Sequence, residues 1–192
     1  VAALGTTIFV HFYYIYNPTT DTWASTASAT APPTGPALPS GYTAWAYVCS
    51  VWNAAGPALR RVRVRGAEVM YDTMQAALTG GAATSETNIS VSTLVPALAL
   101  RFRLLVTNMA IASTAGGVAN ATLTVRAVTT ADAWSGVLLL QGVSGASNQA
   151  IGGQSFELSN QTQFIYLWTV TSGTGRSANI FVTGYQVPNG GE

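Results

Sequence analysis

The chain has 192 residues with eight arginines, no lysine and seven acids, so 8% of it is charged where an ordinary soluble domain has roughly 25%. Hydrophobic residues make up 48%, yet the longest apolar runs, 44–49 and 164–168, fall far short of the ~20 residues of a membrane helix, and abundant aromatic and β-branched residues exclude intrinsic disorder. A net charge of +1 argues against a nucleic-acid footprint, and the single cysteine, Cys49, leaves no internal disulfide.

The hydrophobic period is two throughout. Residues 7–16 (TIFVHFYYIY) predict a long aromatic strand, 17–21 (NPTTD) a turn, and 22–29 a second strand hairpinned to the first. Residues 31–41 hold four of the eight prolines and predict a loop. A strand over 42–52 and a turn over 53–57 follow, then short strands at 59–65 and 67–71 broken at Gly66. The one helix-like piece is 72–78, with Asp72 as its cap. Residues 79–85 (TGGAATS) form a small-residue linker, a point of possible subdivision. Further strands are expected at 89–94, 99–108, 119–129, 135–140, 154–158, 163–171 and 178–186, several separated by glycine-rich breaks. About ten strands at this spacing predict one all-β domain over residues 1–192, an antiparallel, jelly-roll-like β-sandwich. The chain opens on Val1 with no signal-type segment, which reads as a processed product or part of something longer.

Two strands show clean alternation. Phe102 and Leu104 face one side with Arg101 and Arg103 on the other, and Val62 and Val64 are expected inward with Arg61, Arg63 and Arg65 outward. Five of the eight arginines thus belong to two strand faces. So little charge elsewhere suits a surface covered by neighbours better than that of a free monomer.

Between Tyr13 and Val62 the order of motifs is distinctive: an aromatic strand, Ile15-Tyr16-Asn17-Pro18, a strand ending in a Ser/Thr/Ala run, a proline-rich loop, then Leu38-Pro39-Ser40-Gly41-Tyr42-Thr43. Val95-Pro96 and Gly184-Tyr185 extend the pattern more weakly. This order resembles the C-terminal module of bacteriophage tail-fibre and related virion-fibre proteins. The chain departs from it after Thr43, where relatives tend to carry Arg and Gly and this chain has Trp45, Tyr47 and Cys49. The resemblance implies a virion fibre or spike, usually a homotrimer, that contacts the host surface. Within it, Pro39 fixes φ before a turn and Gly41 permits a positive φ, both fold-making roles.

Catalytic chemistry has little to draw on. His11, the only histidine, lies inside an apolar strand; one histidine and one cysteine make no zinc site; and no phosphate-binding loop or nucleophile elbow is present. No cofactor is expected, and no enzyme activity. A capsule depolymerase would need two carboxylates facing each other across a groove. Binding is the class the residues favour. Trp52 and Trp134 lie beside turns, where an indole can stack on the apolar face of a sugar from a host surface polysaccharide. Arg61, Arg63, Arg65, Arg101 and Arg103 suit either anion recognition or intersubunit contacts in a trimer. The alternative to a receptor-binding fibre is a purely structural virion protein, such as a head-decoration or collar protein, with other virion proteins as its partners. Neither reading includes membrane insertion.

Overall fold

A computed structural model describes residues 5–54, 58–112, 118–128, 133–141, 147–150, 154–159 and 162–188, with backbone alone at Val118, Asn120, 133–141, 147–150 and Gln154. Among them lie fourteen strands and no helix: β1 (Ile8–Asn17), β2 (Thr22–Ser28), β3 (Ala44–Ala54), β4 (Ala58–Leu59), β5 (Val62–Arg65), β6 (Glu68–Leu78), β7 (Thr87–Ser90), β8 (Arg101–Ala112), β9 (Val118–Ala127), β10 (Ala133–Gln141), β11 (Ser147–Ala150), β12 (Gln154–Ser159), β13 (Gln163–Ser172) and β14 (Thr174–Gln186). The fold is an antiparallel β-sandwich, as the period-two pattern predicts.

The strands form three sheets. The first runs β2-β1-β3-β4 and the third β10-β9-β13-β7. The second runs β11-β8-β14-β6-β5, with β12 following β11 along the same side of β8. Inward residues of all three join one apolar core: Tyr13, Tyr47 and Val51 from the first, Val69, Phe102, Leu104 and Ile180 from the second, Leu123, Phe164 and Trp168 from the third. Alternation along β8 switches phase at Asn108, which takes φ 50°, so that Phe102, Leu104 and Val106 before it and Met109 and Ile111 after it all point inward.

Two hydrogen-bonded seams tie the sheets together. The Tyr185 hydroxyl on β14 donates to the Ser50 carbonyl on β3 at 2.5 Å, and the Tyr185 ring meets Phe9 and Tyr71 edge-on. The 79–85 linker laces the other pair. Gly81 exchanges backbone bonds with Ala178 of β14 at 2.8 and 3.1 Å, while its carbonyl accepts the Trp168 indole N–H at 3.0 Å.

Three expectations are corrected. Residues 72–78 are not helical; they continue β6, which pairs with β14 through Gln75↔Val182, Ala76↔Phe181 and Leu78↔Ile180. Sheet pairing overrides the helix preference of Met, Gln, Ala and Leu there. Val64 does not face inward: β5 is the edge strand of its sheet, and Val64 is exposed. Arg61 belongs to no strand; it lies just before β5, its carbonyl accepting the Asp72 N–H at 3.2 Å.

Candidate functional site

The first sheet presents an aromatic ledge at one end of β1. Tyr14 and Tyr16 are two residues apart and share the outer face, because Tyr13 and Ile15 between and beside them are buried inward. Across the hairpin Tyr16 stands opposite Trp23 and Tyr14 opposite Ser25. The Tyr16 and Trp23 rings lie 4.7 Å apart at 33° to each other, so one indole face is backed by the tyrosine. Trp23 remains 66% exposed and Tyr14 55%. On the other flank Tyr14 and Tyr16 stand opposite Ala46 and Ala44, residues too small to cover a ring.

The residues that carry the fibre-module resemblance converge behind this ledge. Asn17 Oδ1 accepts the backbone N–H groups of Thr19 and Thr20 at 3.0 and 3.4 Å, shaping the β1–β2 turn. Gly41, at φ 85°, lies so close to the Asn17 amide that a Cβ would sit 2.6 Å from its Nδ2. Tyr42 N–H closes a turn onto the Pro39 carbonyl, and Thr43 N–H bonds the Tyr16 carbonyl at 3.0 Å. The two motifs, some twenty residues apart in sequence, thus form one buttress that fixes Tyr16. Sequence reasoning missed Trp23 because its neighbours look like those of any buried strand residue. Its exposure follows from its place on the outer face of the first sheet, on the edge strand β2 opposite Tyr16.

Trp52, expected as a sugar platform, is half-buried at the far end of β1. Phe9 contacts its ring edge-on at 5.1 Å and the Arg60 guanidinium lies over it at 5.9 Å, so the structure gives it protein partners. Trp134 stands opposite Val125 in β10, and its side chain lies outside the described residues.

The expected arginine faces come together on the second sheet with acids between them. Arg103 Nη2 lies 2.7 Å from Glu157 and 3.6 Å from Glu68; Arg101 is 3.9 Å from Glu157; Arg63 Nε bonds Asp72 at 2.9 Å. These pairs are largely exposed and contribute little to stability. Arg61 and Arg65 have no side-chain partner among the described residues. Glu68 and Glu157 share one guanidinium nitrogen and line one cleft, so two carboxylates meet there, as glycoside hydrolysis requires. The cleft there, however, holds only about 20 Å³, room for one water and not for a sugar. Beside it Arg63, Arg65, Arg103, Glu68 and Asp72 border a shallow groove of about 460 Å³.

A polar cluster lies buried beneath β1 and β3. Ser50 Oγ meets His11 Nδ1 at 2.7 Å and the Tyr47 hydroxyl at 2.6 Å. This is the spacing of a nucleophile and its base, but Ser50 is fully buried and His11 nearly so. Burial raises the Tyr47 and Tyr185 hydroxyls, pushes those of Tyr13 and Tyr71 up to about 12, and raises the Cys49 thiol, which leaves it an unreactive small hydrophobe. Burial also lowers His11 from its ordinary 6.5. The folded state therefore binds the proton less well than the unfolded chain does. Stability is full above pH 6.5 and falls as the pH drops through and below that value. Urea midpoints recorded from pH 8 downward should stay level to about 6.5 and then decline before carboxylates begin to titrate near ~4–5. His11→Gln should flatten that decline, and an unchanged slope in the variant would exclude His11 as its source.

Among the described residues no group of three or more His, Cys, Asp or Glu side chains could hold a metal ion. No helix of the described residues is long and apolar enough to cross a membrane. Comparison with protein-family models and with curated protein sequences gives no match to this chain.

Proposed function

We propose that this chain is a non-enzymatic bacteriophage virion fibre or spike module, trimeric, that binds a host cell-surface glycan for adsorption. The observation that carries the binding half is the Tyr14–Tyr16–Trp23 ledge. Two aromatic rings more than half exposed on one sheet face, one of them backed by Tyr16, are what stacking on a sugar ring requires. The virion half rests on the resemblance of the Asn17-Pro18 and Leu38–Thr43 motifs, which support this same ledge. Each site is weak alone; three copies on a fibre and many fibres on a particle raise avidity by roughly 10²–10⁴-fold.

The test is adsorption. Trp23→Ala should weaken binding of the purified protein to host cells or to their extracted surface polysaccharide by about tenfold or more. Circular dichroism should stay unchanged, because a 66%-exposed ring contributes little to the core. Wild-type protein that neither adsorbs to host cells nor competes with phage sinks the receptor reading. Sedimentation as a monomer at micromolar concentration sinks the trimer.

A second reading, a structural protein of the head, collar or capsid surface, draws on the second sheet. There Arg65, and Arg61 just before β5, lack side-chain partners among the described residues beside a ladder of alternating charge, a pattern suited to contacts with another virion protein. It predicts that Arg65→Glu impairs particle assembly while Trp23→Ala leaves adsorption intact.

A further inference from the structure

The charge around the ledge narrows the kind of sugar that fits it. Between residues 5 and 54 the only acidic or basic side chain apart from the buried His11 is Asp21, and it sits on the rim. Its Oδ1 accepts the Tyr16 hydroxyl at 3.0 Å, its backbone is held at φ 50° in the β1–β2 turn, and no cation pairs with it among the described residues. The nearest arginine in sequence, Arg60, lies over Trp52, which pairs with Phe9. That is seven residues up β1 from Tyr16, about 23 Å along the strand. The remaining expected anion contacts, Arg61, Arg63, Arg65, Arg101 and Arg103, belong to the second sheet and its approach. Aromatic stacking and anion recognition are therefore separated in this molecule.

We infer that the ledge takes a neutral pyranose, one that offers an apolar C–H face to Trp23 and Tyr14 and a hydroxyl to the Asp21 carboxylate, and that it rejects uronic acids, sialic acids and phosphorylated sugars. The inference rests on the glycan-binding reading above and deepens it. The polar groups needed to orient such a ring are present. The Trp23 indole N–H, the Tyr14 hydroxyl and the Ser25 hydroxyl have no protein partner among the described residues, and Asp21 has a second carboxylate oxygen. A carboxylate or phosphate on the ligand would meet Asp21 as a like charge, and among the described residues no guanidinium pairs with Asp21, Arg126 and Arg176 bonding Glu86 and the Ala82 carbonyl instead. Tyr14 and Tyr16 stand about 6.7 Å apart along β1, so the ledge engages one or two sugar residues and depends on repetition along the fibre for strength.

The experiment titrates the wild-type protein, by tryptophan fluorescence and by calorimetry, with neutral polysaccharide fragments (glucan, galactan and mannan) and with acidic ones (hyaluronan, polysialic acid and a phosphomannan). Trp23→Ala and Asp21→Asn run alongside. The expected result is binding of one or more neutral fragments, lost in Trp23→Ala and insensitive to an about tenfold rise in salt, since no ion pair is made. Acidic fragments should bind measurably only in Asp21→Asn. Acidic fragments that bind the wild-type protein in a Trp23-dependent way overturn the neutral-sugar inference and leave the glycan reading standing. Binding that persists in Trp23→Ala overturns the placement on this ledge. If neither class binds, and host polysaccharide does not either, both the inference and the receptor reading fall.

Discussion

Trp168→Ala is expected to cost about 3–5 kcal/mol, the range for deleting a fully buried large aromatic. The ring is 1% exposed, and β13 holds it among the inward residues of the third sheet, opposite Leu123 of β9. Two terms add. The void left behind cannot collapse easily, because sheet backbones on both sides are held by their own ladders. The buried Gly81 carbonyl also loses the indole N–H and keeps only that of Ala178. That carbonyl belongs to the linker that bonds β14 as well, so the loss reaches the second sheet. For a domain whose whole stability is roughly 5–15 kcal/mol this is a large fraction. Urea unfolding followed by circular dichroism should show the midpoint fall with the slope unchanged, and a melting temperature lower by roughly 2–4 °C per kcal/mol. Trp168→Phe keeps most of the ring and loses the donor, and should fall between the two. A loss under about 1 kcal/mol for the alanine variant would mean that the sheets do not close around this side chain.

The contrast between Trp168 and Trp23 shows how far the sequence was legible. Strand positions were, because burial on one face imposes a period of two that survives without any knowledge of partners: β1, β2, β8, β13 and β14 lie where the alternation puts them. What an isolated stretch cannot carry is its place in a sheet. Trp168 ends the apolar run 164–168 and lies in the core. Trp23 has equally strand-like neighbours and stands in solvent because it lies on the outer face of the first sheet, opposite Tyr16, on an edge strand. The same ignorance misplaced Val64, which alternates correctly on an edge with nothing to cover it. Residues 72–78 failed for the opposite reason. Their local preference is helical, and only the distant β14, more than a hundred residues on, makes them a strand.

The arginine faces were half legible. That Arg101 and Arg103 point outward follows from alternation; that Glu157 answers them does not, because β12 reaches β8 across 54 residues of separation. The acid–arginine ladder is thus a product of topology, as is the convergence of the Asn17 and Gly41 motifs. In sequence those motifs suggested separate turns. Folded, they are one contact, and they couple the stability of the module to the geometry of its ledge.

Gly41→Ala tests that coupling and should cost about 2–3 kcal/mol. The residue has φ 85°, where an L side chain is strained by roughly 1–2 kcal/mol. The new methyl would also stand 2.6 Å from Asn17 Nδ2 and 3.4 Å from its Cγ. A long flexible side chain would swing away at little cost. Asn17 cannot, because its Oδ1 is committed to the Thr19 and Thr20 N–H groups, and turning the amide forfeits both bonds. The displaced turn carries Asp21, whose carboxylate holds the Tyr16 hydroxyl, so the Tyr16–Trp23 pair loses its support along with the cap. Gly41→Ala should therefore lower the melting temperature and, on the proposed glycan-binding function, the affinity for host polysaccharide. Trp168→Ala, placed on another sheet, should lower the melting temperature and leave affinity unchanged at temperatures where it remains folded. Equal affinities for wild type and Gly41→Ala, measured below the melting transition of each, would show that the motif does not position the ledge.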